Sequence, residues 1–237
     1  MGKDIKERRE WDKLRLILNA NYIYNSDWEK AIMLFKDRLN RKFFNPVQTI
    51  ISHQKREGEG FAIVTVQCAL IESLASFRTG KIHIVKRKNT SPNYFYDGSK
   101  KMFVDFLHSA EIFKDNFWQL DQNENCLINS PFNAEDFYKN VRCGLMHESR
   151  TKAEWNINTT KFDCKTHKIF LEKSSCKIKI YRTILHYRLK DYVESYLQDL
   201  REQNKQGEDL RRFFARKLDH LYDKNPEPNV YDWWIDK

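Results

Sequence analysis

The sequence predicts a mainly α fold, a helical bundle carrying a small β-hairpin or sheet insertion late in the chain. Three observations lead there. Apolar residues recur at helical spacing in several segments, a nearly unbroken apolar stretch runs from Phe61 to Phe77, and short β-rich runs gather between residues 154 and 181. Of the 237 residues, 41% are hydrophobic and 14% aromatic, which is enough to bury a real core and excludes a disordered polymer. With no internal repeat and no flexible linker, one compact domain over residues 1–237 is expected.

Residues 1–25 are charge-rich but contain Trp11, Leu14, Leu16, Ile17 and Leu18, as expected of a short helix or arm that docks on the body. Ser26-Asp27-Trp28-Glu29 fits a capping box, in which the Ser and Glu side chains each satisfy a backbone N–H. Trp28, Ala31, Ile32, Phe35, Leu39 and Phe43 then recur at helical spacing, and Pro46, which lacks an N–H, ends or kinks that helix. Residues 55–60, with Gly58 and Gly60, read as a loop. From Phe61 to Phe77 the chain is apolar nearly all round, which predicts a central buried helix; the β-branched run Ile63-Val64-Thr65-Val66 leaves a strand as the competing assignment. Glu72 lies inside this stretch. A carboxylate there needs a partner, because burying it alone is costly. The plain role is an ion pair or capping contact; the functional one is to lie near Arg142 and orient it.

Gly80 closes the helix, and residues 81–88 form a basic, partly alternating strand or loop that offers phosphate contacts or simple solvated charge. Residues 89–98 read as a loop whose rings, Tyr94, Phe95 and Tyr96, serve the core or stack on bases. Two short helical pieces are expected over residues 100–118, anchored by Phe103, Phe106, Leu107 and Ile112. A polar loop at 121–125 and a turn at Asn129-Ser130-Pro131 lead to Asn133, the expected N-cap of the next helix. After that helix, residues 155–158, 168–172 and 177–181 favour short strands, making 154–181 the small β element. Residues 183–222 carry two apolar stripes with Gly207 placed between them, so they predict two C-terminal helices. Arg211, Arg212, Arg216 and Lys217 read as a solvated face of the second. Residues 223–237 break helix after Pro226 and are expected to pin back through Tyr231, Trp233 and Trp234.

The helix after Asn133 contains Arg142 and His147 with four residues between them. A guanidinium is a fixed cationic fork suited to a phosphate, and an imidazole exchanges a proton near neutral pH, so the pair has the parts to cleave RNA without a metal. An Arg-x4-His spacing is common by chance, and its plain meaning is charge on a helix surface. Lys139, Arg150 and Lys152 flank it, either as backbone-phosphate contacts or as ordinary surface charge; Cys143 and Glu148 sit between and beside the pair as supporting residues. At ~100° per residue, Phe137, Val141, Gly144 and Leu145 share a core-facing side, Gly144 lets another helix come close, and Arg142 and His147 fall ~140° apart. A straight helix would not bring both onto one phosphate. Either the helix ends before His147, or two chains share the site across a dyad, the arrangement favoured here.

The run Val141-Arg142-Cys143-Gly144-Leu145-Met146-His147-Glu148 resembles the Arg-x4-6-His signature of HEPN domains, the higher eukaryote and prokaryote nucleotide-binding family. The apolar helix from Phe61 to Phe77, with Leu70-Ile71-Glu72 inside it, is similar to that family's helical core. The likeness covers residues 27–222 as a layout and the motif segment closely. It implies a HEPN-like bundle, a homodimer with a composite cleft, and metal-independent endoribonuclease activity in a toxin or anti-phage role, restrained by an antitoxin or other regulatory partner. A non-catalytic HEPN-like dimer that binds RNA or a nucleotide, or scaffolds a partner, is the alternative. Two positions depart from the pattern: Cys143 stands where Asn, Asp or His is usual, and Ser149 occupies the place of a Tyr that a partner adenylyltransferase modifies in one variant.

A net charge of +9 favours a polyanionic partner, nucleic acid before membrane. The first ten residues are charged with no apolar run behind them, and the longest apolar run is interrupted by Gln67 and Glu72, so neither a signal peptide nor a membrane span is expected and the cytoplasm is the expected compartment. Five scattered cysteines fit free thiols better than a disulfide framework. Cys164-Lys165-Thr166-His167 supplies at most half of a zinc pair, so no metal or cofactor is expected. Gly-x-Ser-x-Gly, Walker and dinucleotide-fingerprint motifs do not occur.

Overall fold

The computed structural model describes residues 2–21, 26–53, 58–86, 88, 91–121, 123–160, 163–225 and 233–235. The expected loop at 55–57, the start of the aromatic loop at 89–90, and Tyr231 of the tail lie outside the described residues. The fold is mainly helical. The helices are α1 (Lys3–Leu14), α2 (Ser26–Leu39), α3 (Asn45–His53), α4 (Glu59–Thr79), α5 (Ser99–Ser109), α6 (Ala134–Asp136), α7 (Gly144–Glu148), α8 (Arg182–Asp199) and α9 (Lys205–Leu221). Among the described residues, two π-helical segments, Asn40–Phe44 and Phe137–Cys143, interrupt the α geometry. Short strands are β1 (Ile82–His83), β2 (Phe95–Tyr96), β3 (Gln119–Leu120), β4 (Cys126–Ile128), β5 (Trp155–Asn158), β6 (Leu171–Ser174) and β7 (Lys177–Tyr181).

The chain divides into two compact units. The first comprises Met1–Asn40, Leu74–Asp97 and Glu194–Lys237. Its core is aromatic: Phe35 lies 4.4 Å from Phe77 and 5.3 Å from Phe214, and the same Phe214 meets Trp11 edge-on at 6.2 Å and Trp28 at a tilt at 6.0 Å. Such ring pairs add to area burial through their quadrupoles. The N-terminal arm docks here as expected. Trp11 Nε1 and Arg15 Nε both donate to the fully buried Asp219 Oδ1, at 2.8 and 3.0 Å, and Trp234 Nε1 of the tail donates to Asp219 Oδ2 at 2.9 Å. Gly80, at φ +63°, ends α4 in the left-handed region, and a Cβ there would strike the Phe213 ring.

Two expectations fail in this unit. Arg211 and Arg216 are not a solvated face but are 1% exposed. Arg211 donates to the carbonyls of Ala20, Leu200 and Glu202, and Arg216 lies 4.4 Å from the Tyr94 ring centroid while donating to Trp234 O. Those acceptors lie far away in sequence or at helix ends, and the local charge pattern carries no trace of them. Gly207 does not separate the last two helices; it sits in the first turn of α9, where its N–H is capped by Asn204 Oδ1 at 2.8 Å.

The second unit comprises Arg41–Ser73 and Gly98–Val193. Its core rings are Phe103, Phe106, Phe113, Phe117, Phe137, Trp155 and Phe170, with Phe137 edge-on to both Phe117 and Trp155. β5, β7 and β6 form a three-stranded sheet in that order, β5 parallel to β7 and β6 antiparallel. The strand expected over 168–172 corresponds to β6, which begins only at Leu171: Phe170 is buried and Ile169 exposed before the register starts at Leu171↔Ile180. The turn residue Ser175 adopts φ 53° between them.

The helix predicted through Phe43 buries Phe44 instead, and Phe43 is only half-buried. The π segment adds a residue to the turn and moves the apolar phase by one. Pro46 follows directly. It does not end the helix: helical geometry runs on unbroken from the π segment into α3, of which Pro46 is the second residue. By length and composition α4 is apolar enough to cross a membrane, contrary to the expectation from its interruptions, and just over half of that apolar window is buried within the protein.

Candidate functional site

Asn133 caps the motif helix as expected, its Oδ1 accepting from the Asp136 N–H at 3.1 Å. The helix then widens to π geometry over Phe137–Cys143 and returns to α geometry through Glu148. Single π turns inside helices recur at functional sites because they re-aim side chains. Phe137, Val141, Gly144 and Leu145 are all buried, as the periodicity required. The close approach at Gly144 is not made by another helix. Ser149, in the left-handed region at φ 56°, reverses the chain, and a Cβ on Gly144 would come within 2.5 Å of the Arg150 carbonyl. The returning segment is tied down by Lys152 N–H donating to Asn140 O at 2.9 Å.

Arg142 emerges from the end of the π segment and meets Glu72 of α4. Its Nε and Nη2 both donate to Glu72 Oε2, at 3.3 and 2.9 Å, with side chains 17% and 22% exposed. Both bonds to Glu72 leave from the Nε–Nη2 edge of the guanidinium. The guanidinium carbon lies 5.5 Å from the centroid of the Tyr138 ring, and Tyr138 Oη shares a 3.0 Å hydrogen bond with Ser99 Oγ. Burial works against the Arg142 charge, but the hydrogen bond and charge of Glu72 outweigh it and raise the Arg142 pKa. Tyr138 is likewise raised, by burial first and then by Cys143, against the Ser99 bond and the Arg142 charge. Beneath them, burial pushes the Cys68 thiol up to about 12. Cys68 and Glu72 are one turn apart on α4, and Tyr138 and Arg142 are four residues apart in the motif, so two neighbouring turns converge here.

His147 is exposed in the last turn of α7, five residues beyond Arg142. Helix continues past it, so the arrangement in which the helix ends before His147 is excluded. Arg142 lies within the π segment and His147 in the α-helical turn after it, and at ~100° per residue the two fall on different flanks of the helix. Its neighbour Glu148 gathers the flanking cations: Lys152 Nζ pairs with Oε1, and Arg150 Nη2 lies 3.8 Å from Oε2. Glu148 is held below the usual carboxylate range, by the Lys152 hydrogen bond above all. Lys139 is exposed on the same helix. The predicted residues thus form two groups, Arg142–Glu72–Cys143 and His147–Glu148–Lys152–Arg150. Sequence reasoning missed Tyr138, Ser99 and Cys68 around the first. Tyr138 and Cys68 had a signal, one turn from Arg142 and Glu72, whereas Ser99 had none.

Among the described residues no three His, Cys, Asp or Glu side chains gather as a metal-ligand set. Chemically, the arrangement provides a cation fixed in direction and an exposed proton-exchanging group on one short helix. Comparison of the chain with protein-family models, curated proteins and solved structures returns no match.

Proposed function

We propose that this chain is a metal-independent endoribonuclease of the HEPN type, acting in the cytoplasm as a homodimer. The observation that carries the reading is the fixed Arg142 guanidinium, aimed by Glu72 from a π turn, on the same helix as an exposed His147. Because helix runs on through Glu148, a single copy keeps the two groups on different sides of the helix. A second copy related by a dyad supplies the complementary pair.

In that site the 2′-hydroxyl of the RNA attacks the adjacent phosphorus. His147 takes the hydroxyl proton, and His147 of the partner subunit protonates the departing 5′-oxygen, leaving a 2′,3′-cyclic phosphate and a 5′-hydroxyl. Arg142 holds the non-bridging oxygens as charge develops, through the edge of the guanidinium that Glu72 does not use. Lys139, Arg150 and Lys152 contact flanking phosphates, the last two exchanging Glu148 for RNA. The biological role is that of a toxin or anti-phage effector held in check by an antitoxin or regulatory partner.

The ion pair with Glu72 also favours a second reading, a non-catalytic RNA- or nucleotide-binding or scaffold dimer in which Arg142 has a packing role. Purified protein incubated with RNA in EDTA separates the two. The enzyme reading expects cleavage to cyclic-phosphate and 5′-hydroxyl ends, abolished by Arg142→Ala while RNA binding persists. Binding without cleavage selects the second reading, and cleavage that requires Mg²⁺ rejects the mechanism.

A further inference from the structure

In the second unit a small half-open pocket lies between the π segment Asn40–Phe44, α3, α4 and α8. Its walls are apolar, from Phe43, Phe44, Val47, Val66, Leu70 and Leu189. Two polar side chains also line it, Gln67 and His186, and these are 2% and 1% exposed. Gln67 Nε2 donates to the Arg182 carbonyl at 2.7 Å. A carbonyl only accepts, so the amide orientation is fixed and the Gln67 oxygen is the atom left without a partner. No described protein group bonds to that oxygen or to His186 Nε2. Burial, and secondarily Lys190, hold His186 neutral down to about 4, so one ring nitrogen carries a proton and the other accepts.

Buried polar atoms without protein partners are uncommon, and ordered water is their usual partner. The space is roomy enough for one water-sized molecule and not for a drug-sized ligand. We infer that this pocket is a built binding site for one hydroxylic molecule, a water, which donates to Gln67 Oε1 and exchanges a second hydrogen bond with His186 Nε2. The bridge joins α4 to α8 within the unit, five residues from Glu72 on the same helix. It is independent of the ribonuclease reading.

A high-resolution crystal structure of the unaltered protein tests it first. The expected result is one isolated density peak within hydrogen-bond distance of both atoms. An empty pocket overturns the inference, as does an elongated feature of several atoms extending past Phe43. Thermal unfolding of Gln67→Leu, His186→Phe and the double variant tests it a second way. Each single change strands the other group and lowers Tm by about 2–6 °C. The double variant, with no polar group left in the pocket, loses less than the sum. Strictly additive losses contradict a shared bridging molecule.

Discussion

Removing Glu72 should release Arg142, and the structure sets how much that costs. Arg142 places two N–H groups on Glu72 Oε2, at 3.3 and 2.9 Å, with about four-fifths of each side chain covered. A fully buried pair that loses one member costs roughly 3–5 kcal/mol, and an exposed pair contributes roughly 0.2–1 kcal/mol. Solvent reaching a fifth of this pair places Glu72→Ala between those limits, at about 2 kcal/mol. For a chain of this length that lowers Tm by about 4–8 °C. Urea unfolding of Glu72→Ala, Arg142→Ala and the double variant isolates the pairwise interaction, expected at about 1–2 kcal/mol. In the double variant no charge is left uncompensated, so it should be barely less stable than the worse single change. A coupling below about 0.5 kcal/mol would show that the two groups do not hold each other, and the argument that Glu72 aims Arg142 would fail.

Three further outcomes are expected. Cys126 and Cys176 are exposed and should label with iodoacetamide at pH 8, while Cys68, buried with its thiol pushed up to about 12, should label only in denaturant; mass spectrometry of alkylated peptides reads both. His186 has its pKa lowered from 6.5 to about 4, so the unfolded chain binds the extra proton first; stability should therefore fall as pH drops from 6.5 toward about 4, and His186→Phe should flatten that part of a pH–stability curve. Arg211→Ala removes three donors to backbone carbonyls in a dry environment and should cost about 3 kcal/mol or more, against less than about 0.5 kcal/mol for an exposed lysine such as Lys139→Ala, compared by chemical denaturation.

Much of the helical layout is legible in the sequence, because burying an apolar stripe demands a period near 3.6. The stripe from Trp28 to Leu39, the apolar run of α4 and the two C-terminal helices could all be read that way, as could the Asn133 cap and the left-handed close at Gly80. The π segments could not. An added residue shifts the phase without changing composition, and Phe44 rather than Phe43 ends up inside. Arg211 and Arg216 misled for a different reason. Their partners are backbone carbonyls, some in the turn before α9 and others remote in sequence, and a carbonyl leaves no mark on the side-chain pattern that would distinguish a buried arginine from a solvated one. In the candidate site the demand of Glu72 for a counter-charge was visible, and the pair with Arg142 meets it. The engagement of Arg150 and Lys152 by Glu148 depends on the chain reversal at Ser149, a left-handed residue that no glycine announces.

The most direct test concerns His147, which is exposed and whose loss should leave stability untouched. Single-turnover cleavage of a defined RNA in EDTA should slow by at least roughly 10²–10⁴-fold in His147→Ala, the usual contribution of one acid–base group, because the change removes both the base and the acid, with Tm unchanged. An unchanged rate in that variant, at equal stability, would place the chemistry elsewhere or show that the chain performs none.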